Sequence, residues 1–547
     1  MDVPVFSSPD EHGSSGYLHA REHLTDAQLR AVDTPARALC IVAGAGTGKT
    51  RVLTLRVARR ILDGTAEADH TIVCTFTRKA ADELRHRLTH YGVAVSQPAG
   101  PGGVPTAGVR AGTLHQLALA LLRKHAADAG RPPPDVSDRR WRDLVTLTGD
   151  RSTAGSIDTE IGWAKARGLD PGEYTAAVAA ASRSVDVPVA SVAETFAAYQ
   201  ELLHRRRQID LDDLLLDAAS LIESDLGFAQ QIHWRYRHLS VDEFQDVNPA
   251  QFRLIQAIAG EAGDVCTVGD PNQSIYGWNG ADPSLLHTLP SLMPGLEVVR
   301  LESNHRCTPQ VVAAAVAALG PAQVAPPTSA VADGPLPTLT AYPDSQAEAD
   351  GVAQRLSARA AAGTKWSDQA VLARTHDQLA TIRQALDRHG IPCRFAPAAE
   401  EIELEPPQTG GAGAARLRPR APAQETSGAA EPDGWVELAT FHRAKGLEWP
   451  TVFVVGLEDG YVPIVHATTP DAIAEERRLL YVALTRAAVD LDCSWAQHRI
   501  MKSGRSMERQ ASPWLADLDV ATRAGDSLGP TPASADRFAD LRAALGR

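Results

Sequence analysis

Apolar positions along this chain follow two rhythms. Short continuous apolar runs, such as Ala38–Ala43 and Thr71–Thr77, are each followed by a turn and then by apolar residues three or four apart. The first rhythm reads as a strand buried on both faces, the second as an amphipathic helix packed on it. Leu53, Val57 and Ile61 recur at i, i+4 and i+8 after the Gly-rich turn Gly44–Thr50, and Ala80–Leu88 reads as the next helix. Strand–turn–helix repetition predicts an α/β fold with a parallel sheet covered on both faces. The pattern pauses at 94–110, a Pro/Gly/Val-rich loop, and turns helical over 115–235, broken at Arg131-Pro132-Pro133-Pro134. It returns with strands at His238–Val241 and Val265–Gly269.

A second α/β block opens near Gly295, with candidate strands Glu297–Leu301, Gln369–Ala373, Trp435–Thr440, Thr451–Val455 and Leu491–Trp495. The expected layout is a disordered stretch at 1–20, a first domain over 21–114 and 208–292, and a helical insertion at 115–207. A second domain follows over 293–395 and 434–520, split by a Pro/Ala/Gly/Glu-rich linker at 396–433, with a polar tail at 521–547. The linker composition cannot build a core. No internal sequence repeat is visible.

Composition sharpens this picture. The chain has 547 residues, too many for one compact core, and a formal net charge of −13. That charge excludes coating nucleic acid by bulk positive potential and leaves room for a narrow basic groove. No apolar run approaches the roughly 18 residues of a membrane span, and the first twenty residues lack a signal-peptide order, so a bacterial cytosol or nucleoid location is expected, with no membrane partner. The six cysteines are isolated, without any C-x-x-C pair, so neither a zinc nor an iron–sulfur cluster is expected. Only seven of the 54 basic residues are lysine, the signature of a GC-rich genome, which makes each lysine position informative.

Ala43-Gly44-Ala45-Gly46-Thr47-Gly48-Lys49-Thr50 lies between a strand and a helix. Glycines let backbone N–H groups turn inward around phosphate oxygens, and the following helix N-terminus adds positive potential. Lys49 would reach the β/γ phosphates and Thr50 would ligate Mg²⁺. Ala43 stands where the strict pattern has Gly. Farther on, Leu239-Ser240-Val241 ends in Asp242-Glu243. In phosphoryl transfer one such acid holds Mg²⁺ and the next activates water.

From Asp242-Glu243-Phe244-Gln245-Asp246-Val247-Asn248-Pro249-Ala250-Gln251 the chain resembles the UvrD/PcrA/Rep family of superfamily 1 DNA helicases. The resemblance recurs in order. It starts at Leu24-Thr25-Asp26-Ala27-Gln28, then Thr75-Phe76-Thr77-Arg78-Lys79-Ala80-Ala81, Gly112-Thr113-Leu114-His115 and Asp210-Leu211-Asp212-Asp213-Leu214-Leu215. It continues through Val268-Gly269-Asp270-Pro271-Asn272-Gln273-Ser274-Ile275-Tyr276-Gly277-Trp278 and Leu301-Glu302-Ser303-Asn304-His305-Arg306. It ends with Thr440-Phe441-His442-Arg443-Ala444-Lys445-Gly446-Leu447-Glu448 and the run Glu475–Ala487. The wording is closest to actinobacterial UvrD-like members.

The resemblance implies two RecA-like domains using ATP and Mg²⁺. Gln28 would read adenine, with residues 43–50 and Arg51 around the phosphates. Thr50 and Asp242 would hold Mg²⁺, Glu243 would be the catalytic base, and Gln273 would sense the γ-phosphate. Arg306 and Arg486 would act as arginine fingers, His305 would stack on adenine, and Glu448 would sit near the sugar. Phe76, Tyr276 and Trp278 would stack DNA bases, a sequence-tolerant grip suited to single strands. Thr113, His115, Thr440 and His442 would touch phosphate or sugar. Asp212 and Asp213 carry no evident chemistry and read as helix caps.

Three residue departures and one architectural departure bear on function. His305 replaces the family's usual Tyr, Asn279 an Arg that links DNA track to ATP site, and Asn272 a common Asp. Only 133 residues separate Arg306 from Thr440, where the family usually carries its duplex-contacting 2B domain. The implied activity is therefore a DNA-dependent ATPase and 3′–5′ single-strand translocase or helicase in repair or recombination. Single-stranded DNA is the expected partner, with single-strand/duplex junctions next. The alternative is a nucleotide-gated DNA-binding subunit that needs a nuclease or repair protein as partner.

Overall fold

The computed structural model describes residues 11–96, 106–181, 183–261, 263–293, 295–320, 327–396, 434–500, 506–518 and 521–523. The chain divides into two compact units, 1–44 with 48–301 and 45–47 with 302–547. Among the described residues no helix is long and apolar enough to cross a membrane.

The first unit is built on six parallel strands: β1 (Ala38–Ala43), β2 (Thr71–Thr75), β3 (Arg110–Thr113), and, after a short parallel pair β4 (Asp135–Val136) and β5 (Gln208–Ile209), β6 (His238–Val241), β7 (Asp264–Gly269) and β8 (Glu297–Leu301). Their order is β3-β2-β6-β7-β1-β8, and the Gly-rich turn 44–50 follows β1. Helices α1 (Glu11–Glu22), α2 (Asp26–Asp33), α3 (Lys49–Leu62) and α4 (Arg78–His90) cover this sheet. Leu39, Ile41, Val52, Leu53, Leu55, Val73, Leu84 and Val268 meet in one core, each contributing roughly 1.5–3 kcal/mol by burial.

After β3 the chain runs through α5 (Leu114–Asp128), α6 (Arg140–Thr148), α7 (Arg151–Ala166), α8 (Tyr174–Ala180) and α9 (Val189–Arg206). It returns by α10 (Leu211–Ser224) and α11 (Leu226–Arg235), with α12 (Pro249–Ala259) and α13 (Ser284–Leu292) in the later crossovers. The insertion has its own core of Leu144, Ile157, Ile161, Trp163, Tyr174, Phe196 and Tyr199. Asp210 caps α10 and Asp213 closes the capping box, which refines the expected capping role. Asp212 instead pairs with Arg140.

The second unit begins with the short pair β9 (Ser303–Asn304) and β10 (Thr328–Ser329). Its main sheet contains β11 (Thr338–Tyr342), β12 (Gln369–Ala373), β13 (Cys393–Phe395), β14 (Val436–Thr440), β15 (Trp449–Val455) and β16 (Ala487–Ala496). A hairpin, β17 (His498–Ile500) with β18 (Ser506–Glu508), precedes the edge strand β19 (Ala521–Arg523). The order β13-β14-β12-β15-β16-β11-β19 is parallel throughout. Helices α14 (Pro309–Leu319), α15 (Ser345–Ala361), α16 (His376–Arg388) and α17 (Pro470–Leu484) complete it. Two parallel α/β units of this kind match the expected fold class.

Several expectations are corrected. Glu11–Glu22 is a helix where disorder is expected over 1–20: Tyr17 enters the first core and Arg21 pairs with Asp33 at 2.6 Å. Glu297–Leu301 is a strand as predicted, but it pairs with β1 and so belongs to the first unit. The loop read at 94–110 contains a bridge between Val95 and Val109 and the start of β3. Ala521–Arg523, read as tail, pairs with β11 through backbone bonds that need no apolar pattern. Residues 1–10, most of the linker (397–433) and 524–547 lie outside the described residues. The six cysteines are free thiols.

Candidate active site

The phosphate loop is shaped by two left-handed glycines, Gly46 at φ +69° and Gly48 at φ +78°. A side chain at either would be strained. At Gly48 a Cβ would also lie 3.2 Å from Gln28 Nε2, so the predicted adenine reader sits against the last glycine of the loop. Gln28 is fixed there by a capping box. Its Oε1 accepts the Thr25 N–H at 2.9 Å, and its own N–H reaches Thr25 Oγ1. Lys49 and Thr50 open α3. The Thr50 hydroxyl donates to Asp242 Oδ2 at 3.0 Å, joining α3 to the end of β6. Arg51 donates to the Ala20 carbonyl of α1 at 2.7 Å.

Asp242 is 2 % exposed, and burial, with Glu243 beside it, pushes its carboxyl up to about 7. Glu243 adopts φ +52°, one of two left-handed non-glycine residues among those described. Such backbone costs about 1 kcal/mol or more and is concentrated at functional sites. The kink lets the Glu243 N–H donate to Asp242 Oδ1 at 3.0 Å, and its carboxylate lies 3.8 Å from Lys49 Nζ.

Gln245, quoted in the motif but given no role, ties the site together. Its Nε2 donates to Glu243 Oε2 at 2.5 Å and its Oε1 accepts the Asp270 N–H at 2.9 Å. Asp270, also missed, is buried and accepts from Gln273 Nε2 at 2.7 Å; burial raises its pKa. The signal for both was their place inside a motif run, since nothing in their local pattern marks them. Tyr276 follows this loop, and its phenol is pushed up by burial, Asp246 and Glu243.

These residues suit a nucleoside triphosphate with Mg²⁺. Among the described residues, Lys49 Nζ is buried and has no hydrogen-bond partner, with the Glu243 carboxylate 3.8 Å away, an ammonium placed to meet an anion. The Asp242 carboxyl, whose pKa is raised by burial, would ionise against a divalent cation, with Thr50 as second oxygen ligand.

In the second unit, Arg306 forms an ion pair with Glu448. Arg486 is buried just past α17 and donates to the carbonyls of Val482 and Leu447, each at 2.9 Å, and to Thr485 Oγ1 at 3.1 Å. Burial, then the nearby Arg306, lower its pKa to about 10. Arg306, Glu448 and Arg486 therefore form one cluster. His305 is exposed.

The predicted DNA contacts fall into two groups. In the first unit Phe76 follows β2, half-buried, and Thr113 pairs in register with Thr75. Thr113 caps α5: its hydroxyl accepts the Gln116 N–H at 3.2 Å. His115 is buried, which lowers its pKa. Trp278 is 48 % exposed on a single 3₁₀ turn, Gly277–Asn279. In the second unit Thr440 ends β14 and its hydroxyl accepts the Arg443 N–H at 3.4 Å. His442 is driven down to about 4 by burial and by Arg374 and Lys445. Arg374, a residue without a predicted role, also pairs with Glu476 of α17 at 2.7 Å.

Comparison with known proteins gives a consistent picture. A profile of the UvrD/REP helicase N-terminal domain matches residues 24–294. A UvrD-like helicase C-terminal domain profile matches 299–399 and 422–498. The chain is 34 % identical over 600 residues to the ATP-dependent DNA helicase UvrD2 of Mycobacterium tuberculosis, covering 94 % of this chain and 83 % of that one. It is 34 % identical over 305 residues to DNA helicase II of Escherichia coli, covering 54 % and 40 %. It is 26 % identical over 653 residues to the ATP-dependent DNA helicase PcrA of Leuconostoc citreum, covering 90 % and 84 %.

Proposed function

Because this chain belongs to the UvrD/REP helicase family, we propose that it is a DNA-dependent ATPase that moves 3′ to 5′ on single-stranded DNA during repair or recombination. The observation that carries this reading is the first-unit cluster: Lys49 Nζ, buried and without a hydrogen-bond partner among the described residues, beside the Thr50–Asp242 pair and the kinked Glu243. Lys49 would bind the β/γ phosphates. Thr50 and Asp242 would hold Mg²⁺, which supplies charge neutralisation on the phosphate oxygens. Glu243 would take the proton from the attacking water, and Gln273 would respond to the γ-phosphate. Gln28 would read adenine, with Arg51 and the loop 43–50 around the nucleotide and His305 stacking on the base. Arg306 and Arg486 would stabilise charge on the transferring group, and Glu448 would approach the sugar.

Trp278, Tyr276 and Phe76 would stack bases, with Thr113, His115, Thr440 and His442 along the strand's backbone. The described residues between Arg306 and Thr440 all fold with the second unit's sheet and helices. That supports a motor with a reduced 2B region, for which translocation is the primary activity and duplex separation secondary. The expected location is the bacterial cytosol. Unwinding of a duplex with a 3′ tail but not a 5′ tail tests the polarity, and the reverse preference would overturn it.

A further inference from the structure

Trp278 sits on the single 3₁₀ turn Gly277–Asn279. Its turn is closed by Asn279 N–H to Tyr276 O at 3.0 Å, Gly280 N–H to Gly277 O at 3.1 Å and Ala281 N–H to Tyr276 O at 3.1 Å. The turn rests on α7 of the helical insertion. Gly280, at φ +96°, lies so close that a Cβ there would fall 2.4 Å from Ala166 Cβ. Asn279 Oδ1 is 3.9 Å from the point where Gly162 would carry a Cβ. Gly162 and Ala166 are four apart on α7 and so share one face.

Two guanidinium groups of the insertion reach this turn. Arg183 Nη2 donates to the Trp278 carbonyl at 3.4 Å, and Arg167 Nη1 to the Gly280 carbonyl at 3.5 Å. Both contacts are long, but neither arginine is loose. Both guanidinium groups lie over the buried Trp163 ring, Arg167 at 4.4 Å and Arg183 at 4.8 Å from its centroid. Arg183 also grips Glu160 twice, Nε to Oε2 at 2.9 Å and Nη2 to Oε1 at 2.9 Å. Glu160 is buried and accepts the Tyr174 hydroxyl at 2.8 Å. Cations locked against an aromatic ring and a buried carboxylate are fixed donors, which limits the mobility of what they hold.

We infer that Arg183, assisted by Arg167, is a positioning residue for DNA stacking: the helical insertion holds the backbone at Trp278 and two residues after it, and so presents the Trp278 ring to a base. This rests on the reading of Trp278 as a stacking platform. Preorganisation of this kind is worth affinity because less freedom is lost on binding.

The test is equilibrium binding of the full chain to an unstructured oligo-dT, combined with ATP turnover. Arg183→Ala is expected to weaken oligo-dT binding about tenfold while DNA-free turnover and the KM for ATP stay unchanged. The double variant R183A/E160Q, which removes the buried carboxylate charge left behind, is expected to show the same loss. Gly280→Ala leaves the Arg183–Glu160 pair intact, pushes the turn off α7, and is expected to match it. In a Trp278→Ala background, Arg183→Ala is expected to add less than about a twofold loss. Wild-type binding by Arg183→Ala, full recovery in R183A/E160Q, or additive losses in the Trp278→Ala cycle would overturn the inference. No oligo-dT binding by the wild type, or no loss in Trp278→Ala alone, would overturn the stacking reading itself and this inference with it.

Discussion

The Thr50 hydroxyl donates to Asp242 Oδ2 at 3.0 Å, so the helix that begins at the phosphate loop and the strand that ends in two carboxylates share one hydrogen bond. Asp242 is buried and its carboxyl stands near 7, above the ordinary carboxylate range. The folded chain therefore holds a proton there that the unfolded chain has lost. Stability falls as pH rises from about 4 to about 7, and the full penalty persists above that. Asp242→Asn removes the charge. Nucleotide-free Asp242→Asn should melt at least about 2 °C above wild type at pH 8, with the gap closing toward pH 4. A gap of equal size at both pH values would show that the buried charge is not the cause. Turnover should be lost at every pH.

Gln245 links Glu243 to the backbone of Asp270. Gln245→Ala should lower kcat about 10- to 100-fold, because a general base must be oriented to take its proton. The KM for ATP should move less than about threefold, since no phosphate contact is removed. A large KM change with kcat preserved would place Gln245 in nucleotide binding instead.

Arg306 pairs with Glu448 at a partly exposed position, where such a pair contributes at most about 1 kcal/mol to folding. Arg306→Ala should therefore remain folded, with a melting temperature close to wild type. If Arg306 acts as an arginine finger, its loss should cut kcat about 10³-fold. Turnover within threefold of wild type, in folded protein, would reduce it to a surface ion pair.

Trp278→Ala should weaken oligo-dT and oligo-dA binding alike, by about 1–3 kcal/mol, because stacking is indifferent to base identity. The dependence of affinity on salt should keep its slope, since no phosphate contact is lost. A flattened salt slope would mean that the variant had disturbed the cationic groups around the turn.

Much of the fold was legible because strands such as Ala38–Ala43 and Gln369–Ala373 are apolar runs buried on both faces. The pairing of Glu297–Leu301 was not, because a strand's pattern does not name its neighbour. The N-terminal helix was hidden because its anchors, Tyr17 and the Arg21–Asp33 pair, act through tertiary contacts. At the candidate site, the grouping of Lys49, Thr50, Asp242 and Glu243 could be read, because phosphate chemistry would call for those residue types at that spacing. Gln245, Asp270 and Arg183 could not. Their roles lie in bonds to residues far along the chain, Gln245 to Asp270 across 25 positions and Arg183 to Trp278 across 95.

The central claim is that ATP hydrolysis in this chain depends on DNA. The most direct measurement is steady-state ATP turnover by purified protein with and without single-stranded DNA, with Lys49→Ala and Glu243→Gln beside the wild type. The account predicts strong stimulation by DNA in the wild type and its abolition in both variants, with Glu243→Gln still binding ATP. Well-folded wild-type protein whose turnover is unchanged by DNA would contradict it.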